Sequence, residues 1–226
     1  MRTNLNFSTF HTLDGLLDFG LYDFPNSMME SGAKFGNDGA MFWGTFLHRE
    51  LERGTLRLES SDVFVDVGAN IGMSSRYALL KNVNRVYGFE PDPNLASLYS
   101  LNNPEAKVFQ YAIDSKSDDY LELFHWPYNE NFIGPTYKVS TLSLVDIFKI
   151  IGEDTIDYLK VDIEGYEQQA FLAAPQSFYS AVNKIFVEHH FPDMFEDFCK
   201  FVEGKGFNVY KEYGVGQNYL YAKQKK

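Results

Sequence analysis

The 226-residue sequence predicts one α/β domain, a mostly parallel sheet with helices on both faces. Three observations carry this. Short apolar runs rich in β-branched and aromatic residues alternate along the chain with segments of helical periodicity. Several runs end in an acid followed by a turn signal, as at Asp66, Glu90 and Asp162, which brings polar groups to one edge of a buried sheet. No internal repeat and no Pro, Ser or Gly-rich linker splits the chain, and 45% hydrophobic residues suffice for one sizeable core.

Residues 1–40 read as an N-terminal extension, irregular or short-helical, with Pro25-Asn26-Ser27 as a turn signal. It would serve as a strap over the sheet or as a lid on the active site. Residues 41–226 are the domain itself. Over 41–51, Phe42, Trp43, Phe46, Leu47 and Leu51 recur at helical spacing, and Gly54 stands where a helix would end. Residues 63–67 form the first strand, 68–72 a glycine-punctuated turn, and 73–80 a helix. Residues 85–90 form a second strand stopped by Pro91; Asp92 then caps a helix with Pro93 at its first position. Residues 107–113 look like a third strand, and a polar turn leads to strand-like residues 120–124. A loop over 125–138 precedes a helix capped by Ser140 and Thr141, running to Ile151 and closed by Gly152. Residues 155–162 form the fourth strand, and 163–167 turn into a helix reaching Ala173. Residues 184–190 form the fifth strand, 192–203 a helix, and 207–210 with 218–222 a closing pair of strands.

A formal charge of -11 argues against nucleic acid, whose phosphates require clustered Lys and Arg. The single Cys199 excludes an internal disulfide, and Phe195 and Phe198 beside it mark a core thiol rather than a nucleophile. No basic stretch followed by an apolar one opens the sequence, and no run approaches the roughly 20 apolar residues of a membrane span. The expected setting is cytoplasmic, with no membrane partner. Aromatic residues, 17% of the chain, are enough to line a sugar or polyketide pocket, though aromatics mostly fill cores.

The chemistry lies at the strand tips. A nicotinamide or flavin site needs G-x-G-x-x-G, so that the backbone can close on a diphosphate at a helix N-terminus. Here the order is Asp66-x-Gly68-x-Asn70-x-Gly72, with Asn70 at the second glycine's place. A carboxylate at Asp66 suits a cationic amine, or a network holding the loop, better than a diphosphate. S-adenosylmethionine carries an ammonium, a sulfonium and no phosphate, and so fits this turn. Glu90, at the next strand tip, can accept hydrogen bonds from both ribose hydroxyls.

Residues 65–72, Val-Asp-Val-Gly-Ala-Asn-Ile-Gly, then Gly88-Phe89-Glu90-Pro91, then 159–167, Leu-Lys-Val-Asp-Ile-Glu-Gly-Tyr-Glu, closely resemble successive signatures of the FkbM family of S-adenosylmethionine-dependent methyltransferases. The resemblance spans residues 62–190. It implies a class I, Rossmann-like methyltransferase fold, a seven-stranded sheet whose last strand is antiparallel. It also implies methyl transfer to a hydroxyl of a sugar or polyketide-type small molecule. On the matched motifs the cofactor site comprises Asp66, Gly68, Ala69, Asn70, Gly72, Glu90, Pro91, Ala112 and Asp162. The segment 110–114 departs from the family in carrying Gln110 where Asn is common.

Strand alternation puts Lys160 and Asp162 on one face, with Asp162 toward the cleft, and Gly165 allows the tight turn that follows. Glu164 and Glu167 stand at a helix start, where acids are favoured as caps. Glu188-His189-His190 ends the neighbouring strand on the same sheet edge. His189 is the expected general base, because imidazole titrates near neutrality, with Asp162, Lys160 and Glu188 completing the candidate catalytic set. Asp162, Glu164, Glu188 and the two histidines can also supply ligands for a divalent ion, although no metal-specific spacing is present. Rival readings are N-methylation of a small amine, a cofactor-binding partner subunit without catalysis, and, more distantly, a nicotinamide oxidoreductase.

Overall fold

The computed structural model describes residues 6–12, 15–21, 45, 49–124, 136–214 and 216–225. Seven strands form the central sheet: β3 (Val63–Val67), β4 (Arg85–Phe89), β5 (Lys107–Phe109), β9 (Ile156–Val161), β10 (Val182–His189), β11 (Phe207–Tyr213) and β12 (Asn218–Gln224). Their order is β11-β12-β10-β9-β3-β4-β5. β12 runs antiparallel to both neighbours, while the other pairings are parallel. This is the predicted mostly parallel sheet with one reversed strand. The chain order reverses between β3 and β9, which opens a crevice beyond their carboxyl ends.

β3 is buried at all five positions because alternate residues face two cores. Val63, Val65 and Val67 pack on one side with Leu159, Val161 and Val187 beneath α4 (Glu167–Ala173), α5 (Gln176–Ser180) and α6 (Phe195–Gly204). Phe64, Tyr158, Phe186 and Tyr221 form the other core beneath α1 (Met73–Leu80) and α2 (Pro93–Asn102). Each fully buried aromatic contributes about 1.5–3 kcal/mol, so the two layers fix the sheet and hence its tips. Asp92 caps α2 as expected, its Oδ1 accepting from the Asn94 amide at 2.7 Å. Cys199 is a buried core thiol. Among the described residues no helix is long and apolar enough to cross a membrane.

The structure departs from the sequence expectations in four places. The N-terminal extension contains an antiparallel hairpin, β1 (Asn6–Thr12) with β2 (Gly15–Leu21), where an irregular or helical segment was expected. Most of the expected helix over 41–51 falls outside the described residues; within them, Glu50–Glu52 is a 3₁₀ turn. The expected third strand is split: β5 stops at Phe109, and β6 (Ala112–Asp114) joins β7 (Tyr120–Phe124) and β8 (Thr136–Ser143) in a second sheet of order β6-β8-β7. Finally, Ser140 and Thr141 lie in β8, not at a helix cap. Tyr137, Val139 and Thr141 alternate with polar residues as a half-buried strand requires, so α3 (Ile147–Ile151) begins only after a 3₁₀ turn.

Candidate functional site

The turn after β3 is closed by its own backbone. Gly68 and Ala69 both donate N–H to the Phe89 carbonyl at 3.0 Å, and Gly72 donates to the Ala69 carbonyl at 2.8 Å. The Asn70 amide donates to Glu90 Oε2 at 2.8 Å, and the Ile71 amide to Asn70 Oδ1 at 2.8 Å. All five amides of the turn are thus used internally, and none is left to bind a diphosphate. Asn70 adopts the left-handed region at φ 51, which its side chain tolerates. At Gly68, a Cβ would lie 1.6 Å from the Asp162 carbonyl oxygen, so only glycine lets the β3 and β9 tips meet this closely.

Beneath the turn, Asp66 is fully buried and accepts from Ser75 Oγ at 2.8 Å; Tyr99 in turn donates to Ser75. Lys160 lies 3.2 Å from Asp66 Oδ1 and 3.5 Å from Asp162 Oδ2, and donates to the Gly68 carbonyl at 2.9 Å. Burial alone would lower the Lys160 pKa, but the two aspartates raise it and keep the ammonium charged. Of the two roles open to Asp66, a partner for an amine or an anchor for the loop, the geometry supports the anchor. Gly72 has a similar framing role: a Cβ there would lie 2.1 Å from Asn103 Nδ2.

Glu90 is buried, and its two oxygens accept from the Asn70 and Asp92 amides at 2.8 and 2.9 Å. Burial pushes its carboxyl up to about 7, against the pull of those two amides. It lines a cavity of about 430 Å³ together with Gly68, Asn70, Pro91, Ala112 and Asp162. Leu121, Leu123 and Tyr137, from the second sheet, supply further apolar wall. Sequence reasoning missed these three, because nothing local indicated that β7 and β8 pack over the strand tips.

A second cavity, of about 490 Å³, meets the first at Gly68, Asn70 and Asp162. Glu50, Ala69, Lys160 and Glu188 line it, with Phe186, Tyr219 and Tyr221 as its aromatic residues. Burial, followed by the nearby Asp162 charge, pushes Glu188 up to about 8.

His189 is not at either cavity. It is fully buried and stacks on Phe198 at 4.8 Å, and burial lowers its pKa. Because β10 persists through residue 189, strand alternation sends this ring to the α6 face, and its expected role as base has no geometric support. His190 points the other way, toward Asp162 and Glu188, and itself lines neither cavity. Its Nδ1 lies 2.9 Å from Glu167 Oε1, and its Nε2 lies 3.4 Å from Glu164 and 3.9 Å from both Asp162 and Glu188. The hydrogen bond to Glu167 pushes His190 up to about 9. Glu167 is fully buried, and its Oε1 also accepts from the Ile163 and Gly165 amides. Burial opposes ionisation, but the bond to His190, followed by those amides, holds its carboxyl below the usual range. Alternation from Glu188 to His190 was the sequence signal for this pair. Asp162, Glu188 and His190 each offer a ligand atom within 4.8 Å of the others, a spacing that a divalent ion also fits.

The chain matches the methyltransferase FkbM domain over residues 66–209. No curated protein matches it. Among solved structures it is similar to the methyltransferase FkbM from Methylobacillus flagellatus KT, with 20% identity and a TM-score of 0.56, covering 80% of this chain. The chain spans about half the length, 47%, of that protein. It is also similar to a ribosomal protein L11 methylase from Lactobacillus delbrueckii subsp. bulgaricus, at 12% identity and TM-score 0.52, covering 87% of this chain and 83% of that one. Fibrillarin from Aeropyrum pernix, solved with S-adenosyl-L-methionine natively bound, matches at 10% identity and TM-score 0.51, covering 77% of this chain and 71% of that one. These likenesses establish the class I methyltransferase fold, and the domain match over 66–209 establishes that the chain belongs to the FkbM methyltransferase family.

Proposed function

We propose that the protein transfers a methyl group from S-adenosylmethionine to a hydroxyl oxygen of a small molecule of sugar or polyketide type. The observation that carries the cofactor assignment is the spent backbone of the turn: five amides bond internally, while a buried carboxylate, Glu90, borders the adjoining cavity. That donor set suits a nucleoside with free ribose hydroxyls and no phosphate, and so fits S-adenosylmethionine. When bound, the cofactor supplies an electrophilic methyl carbon on a sulfonium.

The chain's own residues divide the work. Glu90 accepts from the ribose, Pro91 and Ala112 border the adenosine cavity, and Asp162 with Gly68 and Asn70 holds the junction. The second cavity receives the acceptor against Phe186, Tyr219 and Tyr221. Catalysis comes from positioning two reactants at that junction and removing one proton. Removal of that proton falls to the side chains around the junction. We infer a cytoplasmic setting and no role for nucleic acid or membrane, in line with the net charge of -11.

S-adenosylhomocysteine at 100 times its Kd should stabilise the native state by about 2.7 kcal/mol and raise Tm by roughly 5–10 °C. No shift at millimolar ligand sinks the cofactor assignment. Labelled methyl transfer across a panel of glycosides, hydroxylated macrolides and amines, with and without EDTA, then identifies the acceptor class. O-methylated products that survive EDTA are expected. One observation favours amines as the second reading: Glu50, Glu188 and Glu212 border the acceptor cavity, against the two cations Arg53 and Lys160. Exclusive labelling of amines would establish it in place of the first.

A further inference from the structure

Resting on the methyl-transfer reading above, we propose that the acceptor cavity holds two subsites in a row, and that the far one, built on the Arg53–Glu212 ion pair, recognises adjacent hydroxyls on a second sugar ring of the acceptor. Strand register sets the layout. Residues paired across neighbouring strands share a face of the sheet, so Lys160, Phe186, Tyr221 and Tyr210 form one row across β9, β10, β12 and β11. Two positions nearer the carboxyl ends of β9 and β10, Glu188, Tyr219 and Glu212 form the next row. All of these except Tyr210 line the larger cavity, so one of its walls is this face of the sheet. Asp162, at the junction where the methyl group is delivered, follows β9, whereas Glu212 lies on β11 at the far end of the order β9-β10-β12-β11. Three strand spacings separate them, about 14 Å along the sheet. That is more than one pyranose ring can bridge.

The far subsite is a fixed fork. Arg53 Nη1 lies 3.3 Å from both oxygens of Glu212. The Tyr210 and Tyr221 hydroxyls donate to one oxygen each, at 3.3 and 3.4 Å, so three side chains hold the carboxylate. These contacts are longer than the roughly 2.7–2.9 Å of a tight charge-assisted bond, and a carboxylate has about four acceptor sites, so Glu212 can take further donors. Both members of the ion pair are half-buried and border the cavity. The pair is neutral as a whole, with donors on the guanidinium and acceptors on the carboxylate. Hydroxyls, which both donate and accept, complement it, and two of them on adjacent ring carbons can meet the two oxygens together. An ammonium only donates, and would compete with Arg53 for the same oxygens. An apolar chain would strip water from the pair and return no hydrogen bond. Between the two ends, Tyr219 lies in register with Glu188, and its ring is 9° from parallel to that of Phe186, with centroids 6.2 Å apart. Gln217 donates to the Tyr219 hydroxyl at 3.2 Å and steadies it. These flat aromatic faces suit the apolar C–H faces of sugar rings.

The test uses the full chain, S-adenosylhomocysteine for cofactor binding, and labelled methyl transfer to methyl hexopyranosides, each alone and carrying a second pyranose ring at each hydroxyl in turn. The best two-ring acceptor should exceed its one-ring counterpart in kcat/KM by about tenfold or more, and removing one of the adjacent hydroxyls of its second ring should lose about tenfold or more. Glu212→Gln and Arg53→Met should each lower kcat/KM for the two-ring acceptor about tenfold, chiefly through KM. The same variants should leave the one-ring acceptor and the Kd for S-adenosylhomocysteine within about twofold of wild type. A half-exposed ion pair adds little to stability, so both variants should retain the fold. Equal kcat/KM for one ring and two, or variant losses shared by both acceptors, overturns the proposal, as does labelling confined to amines or to macrolides without a sugar. Should the variants fail to fold, the one-ring against two-ring comparison on the wild-type chain decides alone. Failure of that chain to bind S-adenosylhomocysteine brings down the methyl-transfer reading, whereas binding and turnover indifferent to the second ring bring down this proposal only.

Discussion

Replacing Lys160 with Met removes the cation 3.2 Å from the fully buried Asp66 carboxylate while keeping most of the side-chain volume. Breaking a buried pair on one side costs about 3–5 kcal/mol, because the remaining charge is uncompensated. For a chain of this length each kcal/mol moves Tm by roughly 2–4 °C, so Lys160→Met should melt about 6–20 °C below wild type at pH 7. Thermal melts followed by circular dichroism read this directly. Adding Asp66→Asn to the variant should recover most of the loss. A deficit under about 2 °C, or one that Asp66→Asn fails to reduce, refutes the idea that the loop is anchored by this ion pair.

Two further outcomes follow from the same geometry. Glu90→Ala removes the acceptor shared by the Asn70 and Asp92 amides as well as the proposed ribose contact, and should weaken S-adenosylhomocysteine binding by about 10- to 100-fold in calorimetry; an unchanged Kd would separate Glu90 from the cofactor. Stability should also fall as pH rises from 6 to 9: Glu90 and Glu188 hold protons up to about 7 and 8, and the His190 contribution, complete below about 6.5, is lost through about 9. An equal or higher urea midpoint at pH 9 would contradict that sign.

What was legible in the sequence was local chemistry with a fixed period. The β3 run, the Asp92 cap and the acids at the strand tips follow from alternation, turn residues and burial, each of which acts over a few positions. The grouping of His190 with Glu188 was also within reach, since alternation pairs them; the expectation for His189 gave chemistry precedence over geometry. Other features depend on contacts remote in the chain. The clash at Gly68 arises from Asp162, and the apolar wall of Leu121, Leu123 and Tyr137 from a second sheet. No short-range pattern in residues 107–151 distinguishes two strands and a helix from the four strands β5 to β8 and the late α3, because tertiary pairing overrides propensity there.

Among the described residues the two cavities share only Gly68, Asn70 and Asp162, and otherwise draw on different parts of the chain. The side proposed for the cofactor takes the β4 tip and the second sheet; the side proposed for the acceptor takes Glu212, Tyr219 and Tyr221 from the last two strands and Glu50 from the segment ahead of β3. The acceptor wall is therefore modular. Substitutions on the β11–β12 pair can reshape which molecule is recognised while leaving the adenosine side intact, so a library confined to those strands and the 3₁₀ turn at Glu50–Glu52 can sample new acceptors on an unaltered methyl-delivery platform.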